Sequence, residues 1–124
     1  MENFEFLQSR MDLTNEELKE CLGDLKDIEK FINQNNIKFE SNYKLGFYSH
    51  MVGFLQRIKK REHLENVDDG IKDSIDEYSL KISEQLISLI TNKYDFEPNY
   101  GEVILAAIHI QTAISMEKEG LMNG

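Results

Sequence analysis

Two histidines and the residues spaced around them hold most of the chemistry this sequence can offer. Imidazole can act as a nucleophile, a base or a titrating switch near neutral pH. His109 lies just past an unbroken apolar run, Val103 to Ile108, and Ile110 follows it. On a helix, Ala106 and Ala113 share its face, and Glu102 lies on that face two turns earlier. A core histidine with one hydrogen bond explains this pattern; so does a reactive imidazole at a pocket or interface, where small alanines leave room. His50 belongs to a second constellation. At about 100° per residue, Phe47, His50, Phe54, Arg57 and Arg61 fall in one narrow sector of a helical wheel. That sector is either a flank where Phe packs and Arg reaches water, or an anion-handling surface where Arg stabilises phosphate on or beside the imidazole.

Less is expected of the other candidates. His63 follows the basic run and suits a helix C-terminus, where partial positive charge favours the macrodipole. Cys21 falls on an apolar stripe, as an inert buried thiol does. Three His and one Cys match no zinc spacing. There is no glycine-rich phosphate loop, and no cofactor is implied.

These residues must be positioned by helices. Thr14 and Glu17 form a capping box. Behind it Leu18, Cys21, Leu22, Leu25, Ile28 and Ile32 make a stripe that ends near the Asn-Gln-Asn-Asn run at 33–36. Residues 1–13 are either a short helix or a loose segment. A second helix is expected from Ser41 or Asn42 to about Arg61, with Leu45, Tyr48, Met51, Val52, Leu55 and Ile58 as its core face. A short third opens near Asp68 or Asp69, with Ile71, Ile75 and Tyr78 on one side. The fourth runs from about Ser79 to Tyr94, with Ile82, Leu86, Leu89 and Ile90 inward. The fifth opens with Asn99 and Glu102 as an Asn-x-x-Glu cap after Pro98. It is apolar nearly all round, as a buried helix is.

Composition agrees with an all-α fold. One Pro and seven Gly in 124 residues are too few turn formers for an all-β domain. The length suits one domain, 1–124, in a compact bundle of about five helices with a buried C-terminal helix. A lone cysteine excludes an internal disulfide and points to a reducing, cytoplasmic setting. No segment approaches the roughly 18 apolar residues of a membrane span, and the acidic start does not read as a signal peptide. The net charge of −9 opposes direct nucleic-acid binding. That charge is uneven: residues 41–65 carry five basic and two acidic side chains, whereas 1–40 carry five and ten.

The stretch from Ser49 to Ala113 resembles the phosphotransferase-system regulation domain, or PRD. The first motif reads Ser49-His50-Met51-Val52-Gly53-Phe54-Leu55-Gln56-Arg57-Ile58. The second reads Gly101-Glu102-Val103-Ile104-Leu105-Ala106-Ala107-Ile108-His109-Ile110-Gln111-Thr112-Ala113, and its histidine stands 59 positions after the first. Asn66 and Tyr78 sit where that family tends to have Asn and Tyr, and 40–118 is the best-matched part. The resemblance implies His50 and His109 as phosphoacceptors, with Arg57 and Glu102 in support. It implies a histidine-containing phosphocarrier protein or a sugar-transport B subunit as donor, and a homodimer. The function implied is regulatory: reporting sugar-uptake state through dimer or partner contacts, in transcription regulation, from a stand-alone domain rather than an enzyme.

Two other readings stand beside it. One is a phosphorylation-independent dimeric module that docks through Phe47, Phe54 and the basic turn with Arg61. The other is a small enzyme using His109 and Glu102 as a base–acid pair. Two helical turns put about 10 Å between that pair, so a bound substrate would have to span it.

Overall fold

A computed structural model describes residues 13–64, 69–97 and 100–118. Five helices account for about four fifths of them: α1 (Asn15–Gln34), α2 (Ser41–Lys60), α3 (Asp69–Lys72), α4 (Glu77–Tyr94) and α5 (Tyr100–Lys118). No strand occurs among the described residues. They form the expected all-α bundle, in which α5 packs chiefly on α4 and then on α2.

α1 starts where its cap requires. Thr14 Oγ1 accepts from Glu17 N–H at 3.1 Å, and the Glu17 carboxylate accepts from Thr14 N–H at 2.8 Å. Every residue of its expected stripe is buried, Leu25 and Ile28 completely. Asn35 caps the other end, and Asn36 turns the chain at φ 57°. α2 begins at Ser41, as expected, and Glu40 caps it by accepting from Asn42 N–H at 3.1 Å. Tyr48, Met51, Val52, Leu55 and Ile58 fill the core, whereas Leu45 is half-buried.

The third and fourth helices divide differently from expectation. α3 is a single turn. Ile75 follows it and packs with Ile104 and Ala107, whereas Tyr78 belongs to α4 and is 54% exposed. Asp76 is the α4 cap; its carboxylate accepts from both Ser79 N–H and Ser79 Oγ–H, which moves the start ahead of Ser79. Ile82, Leu86 and Ile90 point inward, but Leu89 is 37% exposed and Ile87 is buried in its stead. The cause lies in the small residues. Ser79 and Ser83 are fully buried, and Ser83 Oγ–H donates to the Val103 carbonyl of α5 at 2.6 Å. Close approach of α5 along those serines centres the buried arc on Leu86 and Ile90 and leaves Leu89 at its edge.

α5 is enclosed over its first half. Gly101 to Ile104, Ala106, Ala107 and Ile110 are buried, and Leu105 and Ile108 are half-buried. The Asn99 cap and residues 1–12 lie outside the described residues. Polar ties fix the helices at their ends. Lys93 bonds Asp24 and Asp27, and Tyr94 Oη–H donates to Asp24, which joins α4 to α1. Gln111 bonds Asp76 N–H and the Ser74 carbonyl, which joins α5 to the turn before α4. No described helix is long and apolar enough to cross a membrane.

Candidate functional site

α2 and α5 pack side by side in opposite directions. The direction is legible in the contacts. His109, midway along α5, lies against Gly46 and Phe47 near the start of α2, and Glu102, early in α5, meets Arg57 further along it. The sector of α2 that carries Phe47, His50, Phe54 and Arg57 therefore faces α5. This corrects the expected interface. Phe47 and Phe54 are both fully buried, and Phe47 is stacked on Phe39 at 4.5 Å on one side and set edge-on to His109 at 6.0 Å on another. Neither ring is left for a partner to touch. Arg61 is exposed, and its guanidinium donates to the Asp95 carbonyl at 3.0 Å and the Tyr94 carbonyl at 3.4 Å.

Glu102 is the hub. Arg57 Nε–H donates to Oε2 at 2.7 Å and Nη2–H to Oε1 at 2.9 Å, a two-pronged pair. His50 Nε2 lies 3.1 Å from Oε1. The Glu102 side chain is 3% exposed, His50 10% and Arg57 23%, so the carboxylate is sealed while the guanidinium edge reaches water. Burial alone would raise the Glu102 pKa. The hydrogen bonds from His50 and Arg57, with the Arg57 charge, outweigh it and hold the carboxyl below its usual range. Its place in the first turn of α5 also sets an anion against the positive end of the helix.

Gly53 makes room for this pair. A Cβ there would come within 3.2 Å of Arg57 Nη1, so the bare backbone is the floor on which the guanidinium rests. At Gly46 an added Cβ would lie 3.5 Å from His109 Cε1, an ordinary contact that marks how near the two helices run.

The two imidazoles are neighbours. Their ring centroids are 5.9 Å apart with planes at 26°. His109 is half-buried, and burial, with the His50 charge adding to it, pushes its pKa down to about 4. It is therefore neutral at physiological pH, with a lone pair available for nucleophilic attack. His50 Nδ1 is buried and has no hydrogen-bond partner.

The structure thus brings His50, Arg57, Glu102 and His109 together. It does so with partners that spacing did not indicate: Glu102 binds His50 across the helix pair, not His109 along its own helix. His63 donates from Nε2 to the Glu97 carbonyl at 2.8 Å and stacks on Phe96 at 5.2 Å, a structural role just past the end of α2. Cys21 is buried, and burial raises its thiol pKa, as in an inert core cysteine. Asn66 lies outside the described residues. Among the described residues no cluster of three or more His, Cys, Asp or Glu is placed to hold a metal. Gly53 was missed, although a glycine in mid-helix, four residues before an arginine, was a signal: it costs about 1 kcal/mol relative to Ala and calls for a reason.

The described helices thus set two neighbouring histidines beside a buried Arg–Glu pair. The chain belongs to the PRD domain family: the family model matches residues 25–113, most of the sequence and all of the site. Membership brings a phosphotransferase-system-related regulatory role in general, in a family that is regulatory rather than catalytic. No curated protein and no solved structure matches the chain.

Proposed function

We infer that this domain receives phosphoryl groups on His50 and His109 and reports the state of sugar uptake through a change in its self-association or partner contacts. The output is transcription regulation, and the domain works as a homodimer in the cytoplasm. The observation that carries the reading is the pairing of the imidazoles at 5.9 Å, with a neutral His109 beside a His50 already bonded to a carboxylate. Arg57, 23% exposed, is the cation nearest at hand for an incoming phosphate. The donor is a phosphohistidine or phosphocysteine on a phosphocarrier protein or a sugar-transport B subunit. A phosphoryl group adds close to two negative charges. So much new charge beside Glu102 must either recruit Arg57 or force α2 and α5 apart, and coupling of this kind is typically worth about 1–3 kcal/mol.

Incubation with phosphoenolpyruvate and the general phosphotransfer proteins tests this. Acid-labile phosphate is expected on His50, His109 or both, and it disappears in the double variant His50→Ala, His109→Ala. Label that survives the double variant would sink the assignment.

One observation favours a phosphorylation-independent binding module as the second reading: His50 is nine-tenths enclosed. A dimer unchanged by the phosphotransfer proteins, and no label at either histidine, would select it. The docking face would then be other than Phe47 and Phe54.

A further inference from the structure

Glu102 touches one nitrogen of His50 and leaves the other bare. The carboxylate takes two N–H bonds from Arg57 and is ionised, so it can only accept. At 3.1 Å from Oε1, His50 Nε2 must bring the proton. A neutral imidazole carries a single N–H, so Nδ1 then keeps its in-plane lone pair. The opposite tautomer is penalised twice. It would set the Nε2 lone pair against a carboxylate oxygen, and it would bury an Nδ1–H donor with nothing to receive it. Among the elements packed here, Arg57 of α2 is committed to Glu102, and His109 of α5 is held neutral by burial. Neither places a cation against Nδ1.

We propose that Glu102, braced by Arg57, is a positioning residue that fixes neutral His50 as the Nε2–H tautomer and makes Nδ1 its nucleophilic nitrogen. The identity of the electrophile rests on the phosphoacceptor reading above; the tautomer does not. In the transfer, the Nδ1 lone pair forms the new N–P bond. The donor's P–N or P–S bond breaks, and its electron pair stays on the donor's nitrogen or sulfur. Nε2 keeps its proton, and the positive charge left on the ring lies against the Glu102 carboxylate. Nδ1 is covered in this conformation, so transfer requires local opening while Nε2–H stays on Glu102.

The tautomer is read by two-bond ¹H–¹⁵N correlation spectra of ¹⁵N-histidine-labelled protein at about pH 8, above the ordinary range of a free imidazole. His50→Gln assigns the signal, and His63, whose Nε2–H faces a carbonyl, is the internal control. Wild type is expected to show Nε2 protonated and Nδ1 bare, at least about tenfold over the alternative, the ratio that 1.4 kcal/mol sets. Glu102→Ala is expected to collapse that ratio to a mixture. Glu102→Gln keeps the shape and an acceptor oxygen, and should retain a reduced bias. Phosphoramidate, a phosphoryl donor that needs no partner protein, should then place phosphorus on Nδ1 of His50, read from ³¹P–¹⁵N coupling. An Nδ1–H or unbiased His50 in wild type would overturn the proposal. So would phosphorus on Nε2, or phosphoramidate labelling of His109 with none at His50. Failure of the phosphotransfer proteins to label, with the expected tautomer and phosphoramidate product, removes the phosphoacceptor reading and leaves this one standing.

Discussion

Glu102 holds two basic side chains from a buried position, so its removal has unequal consequences. Glu102→Ala strands a half-buried guanidinium and an imidazole N–H. Breaking a buried pair from one side costs roughly 3–5 kcal/mol, and the water at the Arg57 edge puts this case near 3. Urea unfolding at pH 7 should record that loss, with Arg57→Ala losing less because His50 still serves the carboxylate. His109 supplies the acid sensitivity. Its folded pKa, about 4, lies below the ordinary 6.5. The unfolded chain therefore binds the proton first, and stability falls as pH drops from about 6.5 toward 4. A full shift of this size would amount to about 3 kcal/mol, and partial exposure of the ring trims it. Glu102, depressed in the same sense, adds its own loss below its unfolded value of about 4.5. Unfolding free energies at several pH values should show His109→Gln flattening the upper part of that decline and leaving the lower part in place.

At the level of the helices, α2 and α5 were legible as elements and illegible as a pair. Periodicity marked Met51, Leu55 and Ile58 as core because apolar side chains at helical spacing have one place to go. The same rule put Phe47 and Phe54 on a flank, since a wheel shows which face a residue shares and not what covers it. Covering came from α5, whose small Ala106 is buried in the same cluster as both rings. Leu89 misled for a related reason: the buried serines, polar in sequence, line the tightest contact of α4. Glu102 was placed in support of the histidines by resemblance, but its bond to His50 spans 52 residues, and no local pattern encodes that. Gly53 gives the helix-level test. Gly53→Ala should gain up to about 1 kcal/mol of helix propensity. Set against this is the 3.2 Å contact with Arg57 Nη1, which pushes the guanidinium off Glu102. A double-mutant cycle with Arg57→Ala separates the two. Gly53→Ala should stabilise the Arg57→Ala background and do little or harm in wild type.

Across the whole molecule, net negative charge meets a locally basic α2, and the folded chain spends that basicity internally. Lys59 bonds Glu20 of α1 at 2.8 Å, Arg57 bonds Glu102, and Arg61 bonds the end of α4. The last of these contacts has a mechanical consequence. Arg61 and His63 grip the Tyr94–Glu97 segment, and that segment leads into α5. The two helices that clasp the histidines are therefore fastened together at one end, by way of carbonyls that no change of side-chain charge can remove. Any parting of the pair must swing about that fastening and be widest toward Gly46 and His109, as a jaw opens away from its joint. Amide hydrogen exchange should follow that gradient. Protection around Arg61 and Asp95 should persist while amides near Phe47 and His109 exchange, and Arg61→Ala should erase the difference by letting the joint itself slip.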